Sequence, residues 1–82
     1  MEYKIYVGSV IKVNKGLMKG SLKIMYCGMS SENVYSLAPF TAKGYQGFSP
    51  NIFYNSESPY IHVYNVEFEV LEVNQEYILL RQ

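Results

Sequence analysis

Tyr60-Ile61-His62-Val63-Tyr64-Asn65-Val66-Glu67-Phe68-Glu69-Val70-Leu71-Glu72-Val73 is the stretch that decides the fold class. Tyr64, Val66, Phe68 and Val70 recur at every second position, with Glu67, Glu69 and Glu72 as polar punctuation. A period of two sends alternate side chains to opposite faces, so the stretch predicts half-buried strand. Asn65 falls on the side of Ile61 and Val63, so the outward face changes character near it. Asn74-Gln75 has hairpin-tip chemistry, and Tyr77 to Leu80 returns as the final strand.

The same signal runs through the first half. Tyr3 to Val13 is rich in β-branched and aromatic residues, with Gly8-Ser9 marking a bulge or bend. Ser21 to Cys27 reads as a second strand, with Leu22, Ile24 and Tyr26 on one face and Lys23 and Met25 on the other, ended by Gly28. Ser30-Ser31-Glu32-Asn33 is turn chemistry or a single helical turn, and Val34 to Leu37 is a short strand. No segment keeps an apolar period of about 3.6 residues over about 11 residues. The expectation is one all-β domain over residues 1–82, with five or six strands and at most one short helical turn. Strands this short leave edges that invite aggregation, and closing them into a small barrel, SH3-like or OB-like, removes the hazard.

Eighty-two residues make one domain that buries roughly 60–65% of its unfolded surface. With 49% apolar residues, an ordered core is within reach. Nine Tyr, four Phe and no Trp predict many half-buried sites, because each Tyr tip needs water or a partner. A single cysteine, Cys27, excludes an internal disulfide and reads as a small buried hydrophobe. The start has no basic segment followed by an apolar run, and no stretch approaches a membrane span, so the cytoplasm is the expected compartment. The Lys-, Ile-, Asn- and Tyr-heavy vocabulary suits a small accessory protein of a low-GC genome or a phage.

The zero net charge conceals a split. Residues 1–43 hold six cations (Lys4, Lys12, Lys15, Lys19, Lys23, Lys43) against two acids, and residues 44–82 hold five acids against one cation. Chains with a basic and an acidic half can associate head-to-tail or as a two-fold dimer.

Gly8-Ser9-Val10-Ile11-Lys12-Val13-Asn14-Lys15-Gly16-Leu17-Met18-Lys19-Gly20 resembles the KOW segment of SH3-like barrels in ribosomal and transcription-elongation proteins. Gly8, Val13, Gly16, Lys19 and Gly20 match, and Ile11 stands for Val. Ser9 replaces the usual Asp, and Lys23 occupies the place of the third glycine. The resemblance covers 13 of 82 residues and implies binding of RNA or a protein partner on the loops.

Two candidate surfaces emerge. Lys12, Lys15, Lys19 and Lys23 form a basic strip able to meet phosphates, or else solvated lysines that discourage edge pairing. Neutral net charge and the lack of Arg in the strip weaken the nucleic-acid reading. The Pro39 to Tyr60 stretch carries Phe40, Tyr45, Phe48, Phe53, Tyr54 and Tyr60 among turn residues. It offers protein-binding anchors or a base-stacking platform, or else Phe48, Ile52 and Phe53 plug the barrel end. Ile52-Phe53-Tyr54 reads equally well as one more strand.

Catalysis is the least supported class. His62 reads as a half-buried strand residue with one hydrogen bond, and no nucleophile–base pair, metal-spaced His/Cys set or phosphate-cradling glycine loop is legible. Neither metal nor cofactor is expected. The Glu67, Glu69 and Glu72 run reads as a solvated strand face. The leading expectation is a non-catalytic module that binds protein and self-associates, with Tyr45, Phe48, Phe53 and Tyr54 as anchors. Behind it stand a nucleic-acid-contacting barrel using the lysine strip, and a small nucleotide-like ligand held at a pocket or subunit interface.

Overall fold

The computed structural model describes residues 1–13, 22–41, 51–64 and 66–82, with backbone alone at 40 and 41. Lys15, Lys19, Tyr45 and Phe48 lie outside the described residues. Among those residues the protein is all-β. Eight strands stand where five or six were expected: β1 (Glu2–Tyr6), β2 (Val10–Val13), β3 (Leu22–Ser31), β4 (Val34–Thr41), β5 (Ile52–Asn55), β6 (Tyr60–Val63), β7 (Val66–Val73) and β8 (Tyr77–Arg81). They form two four-stranded antiparallel sheets. Sheet I has the order β1-β8-β7-β6, and sheet II the order β2-β3-β4-β5.

The stretch from Tyr3 to Val13 is two strands in different sheets, not one bent strand. The chain turns between them at Gly8, whose φ of 84° lies where a Cβ is strained. Ser9 N–H donates to Tyr6 O at 2.9 Å. Val7 N–H reaches Glu76 O in the β7–β8 turn, and Gly8 N–H reaches Tyr26 O in β3, both at 2.9 Å. One corner is thereby tied to both sheets.

A second corner joins β5 to β6. Asn55 Oδ1 accepts Glu57 N–H at 2.8 Å, the side chain mimicking a backbone turn. Ser56 N–H then reaches Asn33 O in the β3–β4 turn, and Val70 N–H in β7 reaches back to Pro59 O, each at 2.8 Å.

Tyr60 to Val73 folds as a hairpin, with Val63 opposite Val66 and Tyr64 at a φ of 54° in the turn. The turn accounts for the change of face in the sequence: Ile61 and Val63 are buried before it, Val66 and Phe68 after it. β3 also outruns its expected end. Gly28, at a φ of 91°, sits in a bulge between Tyr26 and Gly28, and the strand continues to Ser31. β4 likewise runs four residues past Leu37, to Thr41. Glu32-Asn33 makes the turn between β3 and β4, in keeping with its composition.

One core lies between the inner faces. Ile5, Leu22, Ile24, Leu37, Val63, Phe68, Ile78 and Leu80 are all fully buried there. Each such side chain contributes roughly 1.5–3 kcal/mol by leaving water. β1 carries Tyr3 and Ile5 inward against β8, and Val13 does the same for β2. Alternation is clean because an antiparallel sheet can wet one face and dry the other.

Candidate functional site

Within the core, three tyrosines form a row. Tyr26 and Tyr35 meet edge-on at 6.4 Å, and Tyr35 stacks on Tyr54 at 5.6 Å. Tyr26 donates its hydroxyl to the Asn74 carbonyl across the two sheets, and burial pushes its phenol up to about 12. Burial, with smaller effects from Tyr54 and Tyr26, pushes Tyr35 higher still. Tyr54 spans the β5–β6 side, donating to His62 O at 3.0 Å. The Tyr35 hydroxyl is buried without a hydrogen-bond partner. These rings hold the sheets together, so Tyr54, expected among the anchors, packs against the core.

The outer face of sheet I carries most of the acids. Glu2, Lys4 and Tyr6 of β1 point away from the core, as do Tyr77 and Arg81 of β8, Glu67, Glu69 and Glu72 of β7, and His62 of β6. Arg81 bridges Glu2 at 3.0 Å and Glu69 at 3.3 Å, and the Glu2 hydrogen bond is the larger influence holding the guanidinium charged. His62 is exposed, not half-buried, because β6 directs it outward; its Nε2 lies 3.6 Å from Glu67 Oε2 on the neighbouring strand. Glu72 accepts the Tyr77 hydroxyl at 2.8 Å.

At one end of this face the Lys4 ammonium sits over two rings, 4.3 Å from the Tyr77 centroid and 5.3 Å from that of Tyr6. The rings meet edge-on at 5.7 Å. A hydrogen bond to Tyr6, then its charge, holds Lys4 above its ordinary value. The ring quadrupoles and Glu72 make this a place that attracts ammonium groups. Nothing in the local sequence pairs Lys4 with Tyr77; the β1–β8 register does, setting Tyr6 opposite Tyr77.

The outer face of sheet II has a different chemistry. Register sets Val10 beside Met25 and Met25 beside Ala38, sets Lys12 beside Lys23, and sets Ser36 beside Phe53. Paired residues share a face, so Val10, Lys12, Lys23, Met25 and Phe53 all lie opposite the core. Phe53 is 60% exposed and Val10 43%, whereas Met25 is half-buried. Between the larger residues, the small Ser36 and Ala38 are buried, and Asn51 Nδ2 donates to Ser36 Oγ at 3.3 Å. Cys27, expected buried, is half-buried at the β3 bulge.

Members of both candidate surfaces thus converge. Phe53, from the aromatic stretch, and Lys12 and Lys23, from the basic strip, share one sheet face. Phe53 stands in water and does not plug the core. Val10 and Met25 complete the apolar part of the face. Their signal was present in the sequence as the positions alternating with Ile11, Val13, Ile24 and Tyr26. Among the described residues no helix is long and apolar enough to cross a membrane. No family model matches this chain, and no curated protein or solved structure is significantly similar to it.

Proposed function

We propose that this chain is a non-catalytic, intracellular β module that binds protein through the outer face of sheet II, with Phe53 as the anchor. The observation that carries this reading is Phe53, a largely exposed ring on a sheet face shared with Val10, Met25 and two lysines. An exposed ring among apolar neighbours is a favourable anchor, because docking strips water from a large area at small cost in rotamer freedom. We further propose that the two sheets act as a half-closed small barrel. The chain passes directly from edge strand β1 to edge strand β2, and from β5 to β6, which supports that description. Eight strands nevertheless exceed the five of an OB-type barrel.

The test is a photo-crosslinking amino acid at position 53, irradiated in a lysate of the producing cell, with Phe53→Ala as the binding variant. The reading requires a specific adduct and at least a tenfold loss of affinity in a folded Phe53→Ala protein. A partner that binds Phe53→Ala unchanged ends it.

A second reading has one observation in its favour. Lys12 faces Lys23 directly across β2 and β3, on the face that holds Phe53, so phosphates and a stacked base have matching groups. That reading needs single-stranded RNA or DNA binding that falls steeply between ~50 and ~200 mM salt. No binding at the lower salt removes it.

A further inference from the structure

The two outer faces are complementary to each other. Sheet I presents Glu2, Glu67, Glu69 and Glu72 against Lys4 and Arg81, an excess of two acids. Among the described outer-face positions of the sheet II strands there is no acid, while Lys12 and Lys23 stand side by side. An acidic surface laid over a face that carries two lysines and no acid is attracted to it. The face of sheet I already gathers one ammonium, that of Lys4, over Tyr6 and Tyr77 beside Glu72.

From this we infer that the partner of sheet II's outer face is the sheet I outer face of a second copy of this chain, giving a head-to-tail contact between unlike faces. The inference rests on the reading that sheet II's outer face binds protein. Phe53 and Met25 supply the apolar contact, and Lys12 and Lys23 meet Glu67 and Glu72 of the next copy. A contact between unlike faces leaves every pair with one free face of each kind, so the assembly grows as an open chain or closes as a ring.

Its strength is bounded by size. Four strands about 4.8 Å apart and roughly 20 Å long offer about 400 Å² per partner, half of what a stable pair of proteins usually buries. Association is therefore weak and concentration-dependent. Two-fold pairing of sheet II with itself would bring four lysines together, which the charge disfavours.

The experiment is sedimentation velocity on the full chain between ~10 µM and ~1 mM, at ~50 and ~500 mM salt. The average mass of the wild type should rise beyond twice 9.5 kDa at low salt and fall back at high salt. Two variants then separate the faces: Phe53→Ala/Lys12→Ser on sheet II and Glu67→Lys/Glu72→Lys on sheet I. Each alone should stay monomeric, and an equimolar mixture should form a one-to-one pair that does not grow, joined by the intact faces. A variant that dimerises alone, or a mixture that stays monomeric while the wild type assembles, overturns the inference. The wild-type salt titration needs no substitution, so it decides even if a variant fails to fold. A wild type that remains monomeric at ~1 mM also overturns it. If position 53 still crosslinks a foreign protein in that case, the protein-binding reading stands without this partner; if it crosslinks nothing, both fall.

Discussion

Tyr35 stacks on Tyr54 with ring planes 24° apart, yet of the two hydroxyls only that of Tyr54 finds an acceptor, His62 O at 3.0 Å. The pair therefore differs in what a hydroxyl deletion removes. In Tyr54→Phe the His62 carbonyl loses a donor that joins β5 to β6, at a cost of about 0.5–1.5 kcal/mol. In Tyr35→Phe a buried group that made no bond disappears, so stability should hold or rise by about 1 kcal/mol. Urea denaturation of both variants checks this. A loss of more than about 1 kcal/mol in Tyr35→Phe would mean that its hydroxyl is satisfied inside the core.

Tyr54 also separates anchor from core. Half-buried and packed on Tyr35, it should cost roughly 3 kcal/mol when cut to Ala. Phe53→Ala, one residue away on the opposite face, should change stability by less than about 0.5 kcal/mol. Thermal melts of the two variants decide. A large loss in Phe53→Ala would place that ring in the packing.

Alkaline pH should unfold the protein, and the sign follows from the tyrosine row. The unfolded chain releases a phenol proton near 10, whereas Tyr26 holds its proton to about 12 and burial keeps Tyr35 protonated further still. Stability is fully present below pH ~10 and falls above it, by about 1.4 kcal/mol per pH unit for each such tyrosine. Tyr35→Phe removes one of these groups and should move the alkaline midpoint upward. An unchanged midpoint would show that other groups govern alkaline unfolding.

The alternation that marks β3, β7 and β8 was legible because period two is a local property of each strand. Leu22, Ile24 and Tyr26 face inward as their spacing required. The division of Tyr3 to Val13 between two sheets was not legible, since a strand crossing between sheets keeps its β-branched composition on both sides of the bend. Gly8-Ser9 announced a bend and could not announce its partners, Tyr26 and Glu76, which come from distant parts of the chain. The same limit applied to the site. Lys12, Lys23 and Phe53 were each visible as candidates, but only register puts them on one face, and register is a long-range pairing. Charge separation by sequence half became separation by sheet face because β2 and β3 come from the first half, and β6, β7 and β8 from the second.

Gly8→Ala and Gly28→Ala should each lose about 1–2 kcal/mol through backbone strain alone. A Cβ at Gly8 meets nothing within 4 Å, and one at Gly28 meets only the Val7 side chain at 3.6 Å, an ordinary contact. The cost thus comes from φ values of 84° and 91°. Asn, which tolerates positive φ better, should recover part of the loss at Gly8, where there is open space. Chemical denaturation of the Ala and Asn variants tests the order. Ala variants as stable as wild type would show that the chain makes these corners without positive φ.

Asn74 gathers the β7–β8 turn and ties it to the other sheet. Its Oδ1 accepts Glu76 N–H at 2.8 Å and Tyr77 N–H at 2.9 Å, its Nδ2 donates to Glu72 at 3.3 Å, and its own carbonyl takes the Tyr26 hydroxyl. Asn74→Ala deletes both accepted bonds and should cost about 1–2 kcal/mol, because two turn N–H groups lose their acceptor. Asn74→Asp keeps an oxygen for both but replaces the amide donor with a second carboxylate beside Glu72. That repulsion is exposed to water, so it should cost less than about 1 kcal/mol and shrink with added salt. The expected order is wild type, then Asp, then Ala, with the Asp deficit closing at high salt. If Asp proves worse than Ala at every salt concentration, the new carboxylate beside Glu72 costs more than the two turn bonds contribute.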